Sequence, residues 1–294
     1  MIPIETVVPT VPSKPRRQLS APYPTLKESW GFVGWYLLVM VVVTGGGLLF
    51  LGLILPHEQR QPNTDLFLTV TGNLALLGFL LWRYGRRFMP LQLLGQVPGW
   101  LYGALPTMTV AMVLVLSLLD FLALPNWFQV AFERMARQPA AALLLGGIVI
   151  PVLEEVLFRG VLLQGLLRNK KPWVAIGQQA LLFGLIHFNP AQSVGAFLIG
   201  LLLGWLCYRT GSLLPGIGIH ALNNLGAFGL LIWLPKVADG RTSLPELLGS
   251  NWAYAGLVTL AAAVLAGLLW RVSLLALPAA WASTPNSPEP DPKN

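Results

Sequence analysis

Long apolar segments recur about eight times along this 294-residue chain. Most of them are long enough to cross about 30 Å of hydrocarbon at about 1.5 Å of helix rise per residue. Hydrophobic residues make up 55% of the chain, charged residues make up 11%, and the mean hydropathy is +0.65, values that exclude an ordinary soluble domain. We therefore predict an all-α, polytopic membrane helix bundle of about eight transmembrane helices. The predicted spans are 31–55, 66–83, 99–121, 140–167, 173–189, 193–209, 214–234 and 254–277.

Composition divides the chain into five parts. Residues 1–29 and 278–294 are rich in proline and poor in apolar residues, so we expect both to be flexible tails. Residues 30–138 contain the first transmembrane helices and an interfacial helix. Residues 139–234 form a core in which polar residues interrupt apolar segments, and residues 235–277 contain a loop and the last transmembrane helix.

Lys and Arg residues are distributed unequally between the two sets of flanking loops. With the N-terminus in the cytoplasm, 13 of them flank the spans on the cytoplasmic side and 5 on the other side. Because cytoplasmic loops are enriched in Lys and Arg, we predict that both termini are cytoplasmic and that the protein lies in the cell membrane. Residues 125–138 then form an interfacial helix outside, with Trp127, Phe128 and Phe132 toward lipid. The positive charges form no basic stripe, which argues against nucleic-acid binding.

Three ionisable residues interrupt the apolar stretch "VLEEVLFRG" at 152–160. Placing Glu154, Glu155 and Arg159 at the centre of a bilayer costs about 8–10 kcal/mol before any pairing. Glu155 and Arg159 lie four residues apart on one helix face, whereas Glu154 points elsewhere and has no basic partner in its own helix. Either all three form a buried ion network that fixes helix packing, or Glu155 pairs with Arg159 and Glu154 is left free to act.

Two of the three histidines interrupt later spans. His187 and Glu154 each lie about 14 residues from the cytoplasmic end of their span, or about 21 Å along a helix, so they can meet at one depth. Phe183 lies one turn before His187, and Asn224 lies one turn after His220. Ionisable and amide groups on three apolar helices predict a shared polar pocket, which we expect to open to the cytoplasmic side.

The three motifs together resemble those of a known family. The chain contains "EEVLFR", "FGLIH" and "HALNN", that is, Glu-Glu-x-x-x-Arg, Phe-x-x-x-His and His-x-x-x-Asn, in this order on successive spans. This trio is similar to the motifs of the CPBP family, which comprises CAAX prenyl endopeptidases and the bacterial bacteriocin-processing and immunity (Abi) proteins. The resemblance covers about residues 140–230.

This resemblance implies an intramembrane endopeptidase with a CPBP-like catalytic core at 139–234. Glu154 and His187 would activate the attacking water, and His220 and Asn224 would form the oxyanion hole. Three residues would support this arrangement: Glu155, Arg159 and Phe183. Hydrolysis of a peptide bond needs a base for water and donors for the tetrahedral oxygen, which is consistent with these residue types.

The family is commonly labelled metalloprotease, and Glu154, His187 and His220 have the ligand chemistry of a Zn²⁺ site. However, no His-Glu-x-x-His helix occurs, and ligation by all three would leave only Glu155, held by Arg159, as a base. The resemblance also includes a metal-free proposal in which a glutamate is the base. We favour the metal-free mechanism.

A non-hydrolytic role is the alternative. The same polar cluster would bind a partner segment in a bacteriocin-immunity or membrane scaffold protein, or line the path of a small transporter. The first half of the chain contains no matching polar segment, which argues against a transporter. A complete set of acid, base and oxyanion groups exceeds what packing requires, so we favour hydrolysis of a peptide or membrane-protein substrate within the lipid bilayer.

Overall fold

The computed structural model describes residues 23–54, 64–88, 97–235 and 243–275. Ten helices account for most of these residues, and none of these residues is in a β-strand. The all-α prediction is therefore confirmed. The helices are α1 (Leu26–Ile54), α2 (Thr64–Arg87), α3 (Gly99–Leu122), α4 (Gln129–Ala136), α5 (Pro139–Asn169), α6 (Pro172–Leu185), α7 (Pro190–Thr210), α8 (Leu214–Trp233), α9 (Leu244–Leu247) and α10 (Asn251–Ser273).

Seven of the described helices are long and apolar enough to cross a membrane: α1, α2, α3, α5, α7, α8 and α10. The predicted span 173–189 is instead the 14-residue helix α6, which is only about 21 Å long. The chain turns at 187–189 and returns as α7, so α6 and α7 form a hairpin. Residues 1–22 of the predicted tail 1–29, the predicted tail 278–294 and the third histidine, His57, lie outside the described residues.

Apolar side chains cover the outer surface of the bundle. Leu53, Trp82 and Trp252, for example, are 79%, 80% and 88% exposed. In water, a surface with so many large exposed apolar groups would be an association site, whereas lipid covers it without cost. The chain is therefore an integral, multi-pass membrane protein.

Helix α1 begins at Leu26, earlier than the predicted span at 31, because a capping box starts it. The Thr25 hydroxyl accepts from the Glu28 N–H at 3.3 Å, and the Glu28 carboxylate accepts from the Thr25 N–H at 2.9 Å. The same carboxylate accepts two hydrogen bonds from the Arg87 guanidinium, at 2.7 and 2.9 Å. These contacts join the start of α1 to the end of α2.

The start of α1 and the end of α10 lie at the same end of the bundle, which we call the tail end. The Pro24 carbonyl accepts from the Asn169 amide at 3.3 Å, at the end of α5. The Arg209 guanidinium, at the end of α7, donates to the Ser273 carbonyl at the end of α10. The opposite end carries α4, and we call it the α4 end.

Glycines let α6 and α7 pack closely. A methyl group on Gly200 would lie 3.0 Å from the Ala180 backbone, and one on Gly204 would lie 2.5 Å from the Gln179 amide nitrogen. Larger residues at either position would separate the two helices. The hairpin thus holds the turn after α6 at a fixed place beside α5 and α8.

The positive charges at the tail end predict which side of the membrane it faces. Arg137→Cys and Lys170→Cys each remove one positive charge at an exposed position, at the α4 end and the tail end respectively. The single native cysteine, Cys207, is buried. In intact cells, a membrane-impermeant maleimide should label Arg137→Cys, and it should label Lys170→Cys only after permeabilisation. The reverse pattern would invert the predicted topology.

Candidate active site

The four residues predicted to be catalytic line one cavity of about 360 Å³ at the α4 end: Glu154, His187, His220 and Asn224. They come from α5, the α6–α7 turn and α8. The predicted convergence of three helical segments on one polar pocket is therefore present in the structure. The cavity is walled further by α2, α4 and the first half of α7.

Glu155 is the centre of the polar network beside this cavity. Its Oε1 lies 2.6 Å from Arg159 Nη1 and 2.8 Å from His220 Nδ1. The side chains of Glu155 and Arg159 are completely buried, and the predicted ion pair is present. Because Glu155 is ionised beside Arg159, its oxygen accepts from the His220 Nδ1–H, which orients the Nε2 of His220 toward the cavity.

The Phe183 ring packs against three members of the site. The Arg159 guanidinium lies over this ring, 4.5 Å from its centroid. The rings of His187 and His220 contact it edge to face, with centroids 5.0 and 5.7 Å away. The Phe183 ring therefore contacts both imidazoles and the guanidinium and restricts their positions.

Close helix packing brings α8 against α5. A methyl group on Gly216 would lie 3.1 Å from the second Glu155 oxygen, Oε2. At the other end of the cavity, the Asn224 amide donates to the Gly146 carbonyl at 3.3 Å. Gly147 leaves room for Leu225, which lies 2.6 Å from the place a methyl group would take. Glycines on both helices thus set the width of the site.

Two π-helical segments, Ala142–Val149 and Val156–Leu163, flank the six α-helical residues Ile150–Glu155. Such segments occur often at functional sites. Sequence periodicity does not reveal them. They nevertheless leave the Glu155–Arg159 pair in contact.

Glu154 lies on the cavity wall, apart from the Glu155–Arg159 pair. Its side chain is 11% exposed, and its Oε2 is 3.7 Å from His220 Nε2, longer than a hydrogen bond. This carboxylate belongs to the same helix as Arg159, yet Arg159 is bound to Glu155. The predicted difference between the two neighbouring glutamates is therefore present in their contacts.

His187 lies in the turn after α6 rather than inside a span. Its Nδ1 is 2.7 Å from the Phe183 carbonyl oxygen. A carbonyl only accepts, so Nδ1 carries the proton, and in the neutral ring Nε2 has a free lone pair. The buried Asn189 side chain accepts from the Trp127 N–H at 3.0 Å and so fastens the turn to the segment before α4.

Asn223 is a site residue that the sequence reasoning missed. It lines the cavity, and its amide donates to the Asn224 side-chain oxygen at 3.2 Å. This bond orients the Asn224 amide with its nitrogen away from Asn223. The adjacent asparagines in "HALNN" were the available signal. Phe132 of α4 differs from its prediction, because it lines the cavity instead of facing lipid.

The Zn²⁺ ligand set considered from the sequence was Glu154, His187 and His220. Across residues 23–54, 64–88, 97–235 and 243–275, no three His, Cys, Asp or Glu side chains are grouped so that they could hold a metal ion. As placed, the three candidate ligands therefore do not fit one ion.

The cavity lies at the α4 end of the bundle. Its walls include Thr69 near the start of α2, Met135 of α4 and Gln192 near the start of α7. The charge distribution predicts that this end lies outside the cytoplasm. The predictions of cytoplasmic termini and of a cytoplasmic opening therefore cannot both be correct, because the tail end and the cavity lie at opposite ends.

Residues 136–226 match the protein family described as type II CAAX prenyl endopeptidase Rce1-like. The matched residues contain all seven predicted site positions. No match was found among curated proteins or among solved structures. The family match confirms the resemblance drawn from the three motifs.

The contacts of the two glutamates predict different effects on stability. Glu155→Gln leaves the buried Arg159 charge without its carboxylate, which should lower the free energy of unfolding by about 3–5 kcal/mol. Glu154→Gln breaks no such pair and should change the free energy of unfolding much less. Denaturant unfolding of both variants in one detergent would measure the difference. Equal losses would contradict the separate roles of the two side chains.

Proposed function

We propose that the chain is an intramembrane endopeptidase that hydrolyses a peptide bond with a Glu154-activated water, because residues 136–226 match the family described as type II CAAX prenyl endopeptidase Rce1-like. One observation carries the proposal. Glu154, His187, His220 and Asn224 surround a single cavity inside an apolar helix bundle. A base, a second water acceptor and two oxyanion donors are the groups that peptide hydrolysis needs.

Glu154 and His187 activate the attacking water. The Glu154 carboxylate is held by no short hydrogen bond to its neighbour His220, so it can accept a proton. His187 Nε2 has its lone pair free because Nδ1–H donates to the Phe183 carbonyl. One O–H proton of the water is transferred to Glu154, and the second O–H donates a hydrogen bond to His187 Nε2. This arrangement directs an oxygen lone pair to the substrate carbonyl carbon.

His220 and Asn224 stabilise the oxyanion that forms as water attacks. In its protonated form, His220 donates to the oxyanion from Nε2–H, while its Nδ1–H continues to donate to the Glu155 carboxylate. Asn224 donates from its amide nitrogen, whose orientation Asn223 fixes. Donors positioned before the reaction cost no reorganisation, and surrounding apolar helices strengthen each of these bonds.

The proton taken by Glu154 then completes the reaction. As the tetrahedral intermediate collapses, Glu154 delivers this proton to the amide nitrogen, and the carbon–nitrogen bond breaks. The products are one carboxylic acid and one amine, and Glu154 returns to its ionised form. The reaction therefore consumes one water for each peptide bond and needs no other co-reactant.

The substrate reaches the cavity from the α4 end or sideways between helices. A peptide backbone that faced lipid would leave its N–H and C=O groups unpaired, so it must lie against polar groups of the protein. A peptide or a segment of another membrane protein meets this condition. The family name adds prenylated CAAX peptides as a substrate class to be tested.

Glu154→Gln should abolish cleavage while the fold remains. A farnesylated CAAX peptide, its unprenylated counterpart and a library of proteome-derived peptides serve as probes for the purified protein, with cleavage read by mass spectrometry. We expect kcat/KM to fall about 10²–10⁴-fold on loss of the base. Glu246→Gln, which changes an exposed carboxylate near α10, is the matched control and should leave cleavage unchanged.

Asn224→Ala tests the oxyanion hole separately from the base. Removal of one oxyanion donor should lower kcat about 10²–10³-fold with a smaller effect on KM, because the bond strengthens only in the transition state. Cleavage retained by Glu154→Gln would assign the base to another group. Absence of cleavage of every probe by the wild-type protein would favour the binding alternative.

A further inference from the structure

A second cavity of about 280 Å³ continues the catalytic cavity along α4 and α8. The two cavities share four wall residues: Phe132, Gln192, Asn224 and Phe228. Because Asn224 belongs to both, the second cavity begins directly at the proposed oxyanion hole. We call it the amide groove.

The two walls of the amide groove differ in chemistry. Asn126 and Gln129 line the α4 wall with primary amides, whereas Ala227, Leu230 and Leu231 line the α8 wall with apolar side chains. None of the described residues that line it is charged. A charged ligand would find no partner there, so the groove fits an uncharged ligand with a polar edge and apolar branches.

The polar wall is held in place before any ligand binds. The Asn189 amide donates to Asn126 Oδ1 at 2.8 Å and to Gln192 Oε1 at 3.0 Å. The Asn126 amide in turn donates to Gln129 Oε1 at 2.7 Å, and the Gln129 amide donates to the Glu133 carboxylate at 3.0 Å. Asn189 is completely buried and stands two residues after His187. The network therefore fixes the groove relative to the catalytic turn, which lowers the entropic cost of binding.

We propose that the amide groove binds the stretch of substrate peptide that flanks the bond being cut, in an extended conformation. This inference rests on the proposed endopeptidase function. An extended backbone presents N–H and C=O groups along its edge, which match amides that both donate and accept. Successive side chains of an extended peptide point to opposite sides, so every second one, when apolar, faces the α8 wall. The preferred substrate is therefore uncharged and apolar for several residues on one side of the cut.

Ala227→Phe tests the groove, because Ala227 is exposed within it and a ring there would fill it. Peptides that the wild-type protein cleaves are shortened residue by residue from each end. With the wild-type protein, kcat/KM should fall about tenfold when the flanking apolar stretch on one side is removed. With Ala227→Phe, the ratio of kcat/KM for long and short peptides should fall toward one.

Ala263→Phe is the matched control, because Ala263 is exposed on α10 and lines neither cavity. It should keep the wild-type ratio. Gln129→Leu, on the opposite wall, provides a second variant if Ala227→Phe does not fold, and it should lower the ratio in the same direction.

The outcomes separate the groove from the proposed function. If the wild-type protein cleaves peptides and Glu154→Gln does not, but the groove variants keep the wild-type ratio, the endopeptidase stands and the groove assignment is overturned. The groove is then free for another occupant, such as a lipid chain. If the wild-type protein cleaves no peptide, both the function and the groove assignment are overturned.

Discussion

The Glu155 carboxylate joins the two halves of the site through one oxygen atom. Oε1 pairs with Arg159 within α5 and with His220 across the interface to α8. Two ionised groups buried among apolar helices are costly unless each has its partner, so this contact also constrains how α5 and α8 pack. The position of the His220 ring, and with it the space between His220 and Glu154, follows from this shared oxygen.

Close backbone approach makes that contact possible. Gly216 lets α8 approach Glu155, and Gly200 lets α7 approach α6. The Gly200 carbonyl accepts from the Gln179 amide at 2.7 Å, so the same glycine also pairs with a buried amide nitrogen. Within a membrane the apolar surfaces of helices gain little from leaving lipid, and close packing with interhelical hydrogen bonds holds them together. The site is thus built from the same contacts that assemble the bundle.

The position of the cavity at the α4 end has a consequence for function. If the tail end is cytoplasmic, as the positive charges predict, the cavity that Glu154 and His187 line opens away from the cytoplasm. If the cavity opens to the cytoplasm, the chain contradicts the charge rule. The turn after α6, fastened by Asn189 to the segment before α4, places His187 at this end in either case.

The sequence by itself determined the all-α membrane bundle, the family resemblance of the core and the Glu155–Arg159 pair, because apolar length, ordered motifs and four-residue spacing are local properties of the chain. It also predicted four of the residues that line the cavity: Glu154, His187, His220 and Asn224. Only the tertiary structure decided that α6 is too short to be a full span, that Asn223 orients Asn224, and that the cavity lies at the α4 end. These depend on helix packing between segments distant in sequence, and no local pattern encodes that packing.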